Sequence, residues 1–66
     1  MREPSLTPEE VIFEYTQIGN SVRVVAVDAN TGTEVTVQAP VSMSPSDMQQ
    51  LALQKLIYVL NKKGGA

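Results

Sequence analysis

From Val11 to Ala39 the chain runs in short β-branched and aromatic stretches with frequent alternation between apolar and polar positions. From Ser44 to Lys63 the apolar residues recur at helical spacing. The first pattern predicts three strands. Val11 to Ile18, VIFEYTQI, is the first, and Gly19-Asn20 makes a two-residue hairpin connection to Ser21–Asp28, SVRVVAVD. Ala29 to Gly32, ANTG, is the next turn, where the Asp28 side chain can bond the turn amides. Thr33 to Ala39, TEVTVQA, is the third strand, and Pro40 ends it because proline cannot donate to a ladder.

The helix carries its own punctuation. Ser44 suits the N-cap and Pro45 the first helical position. Asp47 stands where a capping-box acid would. Met43 and Met48 occupy the positions of a hydrophobic staple. Lys62 and Lys63 complement the negative pole, and Gly64 is placed to cap the end in a left-handed conformation. On a wheel of about 100° per residue, Leu51, Met48, Val59, Ala52, Leu56, Leu60, Leu53 and Ile57 span an arc of roughly 240°. A helix covering one sheet needs an apolar stripe only a little wider than about 100°. Leu56 is central and should face the sheet. Leu53 and Ile57 lie toward the flank and should meet a second partner.

The fold class expected is therefore α+β: a three-stranded antiparallel meander followed by one C-terminal helix on one face, β-β-β-α, and dimeric. Residues 1–10 read as a flexible arm, 11–63 as the single domain, and 64–66 as a frayed tail. Thr7-Pro8-Glu9-Glu10 resembles a helix start of at most one turn.

Register follows from the turns. Gly19-Asn20 sets Ile18 opposite Ser21, Tyr15 opposite Val24 and Phe13 opposite Ala26. A four-residue ANTG loop sets Ala26 opposite Val35 and Val24 opposite Val37, whereas a three-residue loop with a glycine bulge would swap the faces of the third strand. The first choice gives one nearly all-apolar face: Val11, Phe13, Tyr15, Val22, Val24, Ala26, Val35, Val37 and Ala39. The other face is mixed, and Ile12, Val25 and Val27 cluster at one end of it. The broad helix and this second patch point to a homodimer, with Leu53, Ile57, Leu60, Ile12, Val25 and Val27 as interface residues. Two open sheet edges add a further reason to pair.

Composition narrows the function. A chain of 66 residues makes one domain with a marginal core, and such chains often rely on disulfides, metal or oligomerisation. With no cysteine and no histidine, disulfides are excluded and the usual nitrogen and sulfur ligands of zinc or iron are missing. The net charge of −2 supplies no global basic field for nucleic acid or an anionic membrane. No apolar run is long enough to span a bilayer, and MREPSLTPEE lacks a signal-peptide core. The expected location is the cytoplasm.

The candidate chemical groups are sparse. Glu9, Glu10 and Glu14 read as a helix start and a strand surface charge, since no second acidic cluster faces them. Asp28, Asn30, Thr31 and Gly32 resemble the opening of a calcium loop but lack its later ligands and terminal glutamate, so a turn is expected. The hydroxyls of Ser, Thr and Tyr have no candidate base to activate them. Gly19 and Gly32 are isolated and cradle no phosphate. Tyr58 sits at the margin of the polar face of the helix, as a contact rim or a ring laid on its neighbours. No catalytic, cofactor or metal residues are expected, nor an enzyme. Arg23 with Lys55, Lys62 and Lys63 supports an alternative, an accessory nucleic-acid-binding domain. The β-β-β-α order and Ala52-Leu53-Gln54-Lys55-Leu56 resemble the later part of double-stranded RNA-binding domains. That family places lysines at the start of this helix, where Pro45-Ser46-Asp47 carries an acid instead. The lysines are better read as complements to the helix dipole.

Three segments together, Glu10 to Asn20, Asp28 to Val35 and Leu53 to Leu60, resemble a family of very short, uncharacterised alphaproteobacterial proteins. The family pattern is E-V-I-F-E-(Y/F)-x-Q-(I/V)-G-N, then D-x-x-T-G-T-E-V, then L-x-K-L-x-Y-V-L. The resemblance covers most of the chain. It implies a bacterial cytoplasmic protein and carries over no activity and no site residues.

Overall fold

The computed structural model describes residues 10–64, with side chains through Lys62. The proposed arm, apart from Glu10, and the end of the tail, Gly65 and Ala66, lie outside the described residues, as does the Lys63 side chain. Strands β1 (Val11–Ile18), β2 (Ser21–Asp28) and β3 (Glu34–Pro40) precede helix α1 (Pro45–Gly64). The sheet is antiparallel in the order β1-β2-β3. The α+β architecture and the β-β-β-α order match the expectation from sequence.

Both turns work through one glycine each. Gly19 has φ of +61° and Asn20 does not have positive φ, the combination of a type II′ hairpin turn. It fixes Ile18 opposite Ser21 and carries the register to Val11 opposite Asp28. Gly32 has φ of +77° and ends the four-residue ANTG loop. The Asp28 amide bonds the Thr33 carbonyl at 2.8 Å, and the Gly32 amide bonds the Asp28 carbonyl at 2.8 Å. Ala26 then stands opposite Val35 and Val24 opposite Val37, so the glycine-bulge alternative is not adopted.

The strand and helix ends differ slightly from the sequence reading. β3 extends to Pro40, which pairs with Ser21 at the end of the ladder. The helix keeps its geometry through Gly64, so that glycine is its last turn rather than its left-handed cap. The start of the helix is as expected. The Asp47 amide donates to the Ser44 hydroxyl oxygen at 3.1 Å, and the Met48 amide to the Ser44 carbonyl at 3.0 Å.

The core lies between α1 and the inner face of the sheet. Val11, Val22, Val24, Ala26, Val35 and Ala39 from the strands meet Met48, Ala52, Leu53 and Leu56 from the helix. Leu56 and Val24 are its largest fully buried side chains. The helix packs on β2 and β3. This leaves the inner face of β1 less covered than the sequence suggests: Phe13 is half-buried, and Tyr15 is exposed.

Candidate interaction surfaces

The acidic loop after β2 is a turn. Asp28 is only 3% exposed. One carboxylate oxygen accepts from the Asn30 amide at 3.2 Å, and the other from the Thr31 hydroxyl at 2.8 Å. The Thr31 and Thr33 hydroxyls share a 2.8 Å hydrogen bond, and the Thr33 amide donates to the Thr31 hydroxyl oxygen. The carboxylate is thus committed to holding the loop that fixes β3 in register. Among the described residues no group of three or more metal-ligating side chains converges. Asp28→Ala should cost about 1.5–3 kcal/mol, the range for hydrogen bonds to a charged group. Chemical denaturation should show a lower midpoint with an unchanged slope.

The expected interface residues fall into two sets on opposite faces. On the outer face of the sheet Ile12 pairs with Val27 across the β1–β2 ladder, and Val25 is the next outward residue on β2. Ile12 is 56% exposed, whereas Val25 and Val27 are half-buried by their neighbours. No second layer covers this face among the described residues. Glu14 and Glu34 stand beside the patch, opposite Val25 and Val27, and Arg23 lies farther along it, opposite Thr16 and Gln38.

The second set lies on the helix. The Lys55 ammonium donates to the Thr36 carbonyl of β3 at 3.0 Å, which turns that flank of α1 toward β3. The opposite flank, carrying Leu53, Ile57 and Leu60, therefore leans toward β1. Leu53 is 8% exposed and belongs to the core, while Ile57 and Leu60 are half-buried and pack against it. The arc of apolar helix residues is partitioned rather than uniformly covered. Leu51 is exposed at its other margin, and Tyr58 stands clear of the core with Lys62 Nζ 5.8 Å from its ring centroid.

The basic residues of the nucleic-acid alternative are not gathered. Arg23 points from the outer face, whereas Lys55 and Lys62 belong to the helix on the inner side. No described helix is long and apolar enough to cross a membrane.

A small β-β-β-α domain with its helix on one face of the sheet is the class of protein these elements define. The chain belongs to the family described as Domain of unknown function (DUF6898), whose model matches residues 8–63. No curated protein and no solved structure matches the chain.

Two features escaped the sequence reading. Alternation places Tyr15 on the face that the helix covers, yet it is exposed because the helix sits over β2 and β3. The use of Lys55 at the edge of β3 links residues 19 positions apart. No local pattern announces such a contact.

Proposed function

We propose that this protein is a non-enzymatic homodimeric module that acts in the cytoplasm through protein–protein contact. The observation that supports this reading is the single-layered sheet. Among the described residues its outer face carries Ile12, Val25 and Val27 with no layer over them, and β1 is left only partly covered on the inner side as well. A domain with so small a core gains stability by burying such surface against another copy. Its acidic balance and the separation of Arg23 from the helix lysines weigh against a nucleic-acid role. Sedimentation velocity over a concentration series should show a dimer by the high micromolar range. A strict monomer throughout that range would remove the reading.

A further inference from the structure

The two edges of the sheet are built differently. Backbone groups alternate between the two sides of a strand, and the hairpin turn sets their phase. Ile18 and Ser21 flank the two-residue turn and form a hydrogen-bonded pair, so Ile12, Glu14, Thr16 and Ile18 direct their amides and carbonyls at β2. The bond from the Ala29 amide to the Glu10 carbonyl keeps the same phase. The corresponding groups of Val11, Phe13, Tyr15 and Gln17 point away from the sheet.

On β3 the bonds from the Asp28 amide to Thr33 and from the Val41 amide to Asn20 fix the phase in the same way. There the outward residues are Glu34, Thr36, Gln38 and Pro40. This edge is blunted at two points: Lys55 occupies the Thr36 carbonyl, and Pro40 has no amide proton to offer. Among the described residues β1 has none of these devices. Its stretch VIFEYTQI holds no lysine, no proline and one charge, and its pairing with β2 is unbroken by a bulge. It also displays three large apolar side chains: Ile12 at 56%, Tyr15 at 45% and Ile18 at 47% exposure.

Resting on the homodimer reading, we infer that the β1 edge pairs antiparallel with β1 of a second copy, about a twofold axis at Tyr15, to make one continuous six-stranded sheet. The register selects itself. Centred on Tyr15, the pairing sets Ile12 opposite the partner's Ile18, Tyr15 opposite the partner's Tyr15, and Glu14 opposite the partner's Thr16. All three exposed apolar residues of the strand then meet an apolar partner, and the outward amides of Phe13, Tyr15 and Gln17 gain acceptors. Centring on Glu14 places two carboxylates face to face. A Phe13 centre sets Ile12 against the partner's Glu14, and a Thr16 centre sets Ile18 there. An axis perpendicular to the sheet leaves both helices on the same face. The Ile57 and Leu60 flank of each then borders the new seam.

The chain has no cysteine, so a single introduced thiol reports the seam. A hydrogen-bonded antiparallel pair sets Cα atoms about 5.5 Å apart, within disulfide reach. Under mild oxidation Y15C in the full chain should form a covalent dimer at least tenfold faster than V25C, which tests a dimer through the outer face. Tyr15→Lys should keep its circular dichroism spectrum and raise the dimer dissociation constant at least tenfold. If the unmodified chain sediments as a dimer but V25C crosslinks as fast as Y15C, or neither crosslinks, edge pairing is overturned and the dimer stands. If the unmodified chain is a monomer at high micromolar concentration, both fall.

Discussion

Leu56→Asp should leave no folded protein at room temperature. Leu56 is 0% exposed and lies where α1 crosses β2 and β3. Deleting its side chain alone, as in Leu56→Ala, costs about 2–5 kcal/mol for lost burial and the cavity left behind. A carboxylate there has no partner in an apolar site and must either stay desolvated or take up a proton, which adds further cost. A 66-residue domain has only about 3–10 kcal/mol to lose, at roughly 0.05–0.15 kcal/mol per residue. Far-UV circular dichroism should lose its helical signal, and no cooperative melt should remain. Leu56→Met keeps the volume and should cost less than about 1.5 kcal/mol. If Leu56→Asp melted cooperatively within a few degrees of the parent chain, the position assigned to Leu56 would be wrong.

Much of this architecture is legible because local signals agree with one another. Gly19 and Gly32 each sit where a positive φ is needed, and those turns alone set the register of both ladders. The alternation of Val22, Val24 and Ala26 with Arg23, Val25 and Val27 then sorts inside from outside. Ser44 bonds the Asp47 amide because N-cap chemistry is local. Where α1 comes to rest is not a local matter. Periodicity gives the width of an apolar stripe but not its lateral position on a sheet, and here the stripe settles over β2 and β3. That choice exposes Tyr15 and frees the Lys55 stem to reach Thr36. The difference between the two edges therefore comes half from sequence, as Pro40, and half from tertiary packing, as Lys55.

The same lateral position separates Leu53 from Ile57, which the wheel treats as neighbours on one flank. Leu53 is buried with Ala52 and Leu56, whereas Ile57 is half-buried and packs against that core from its flank. Leu53→Asp should therefore behave like Leu56→Asp and lose the fold, because its carboxylate would be drawn out of water within one subunit. Ile57→Asp can turn its carboxylate to solvent and should cost about 1–2 kcal/mol, within the common range for a single substitution. It should remain folded while the proposed dimer weakens, since a charge would then stand beside the proposed seam on each copy and face its like. Thermal melts and sedimentation velocity on the two variants separate these effects. A folded Leu53→Asp monomer would show that this side chain serves association rather than the core. An Ile57→Asp dimer as tight as the parent would place the seam away from the helix flank.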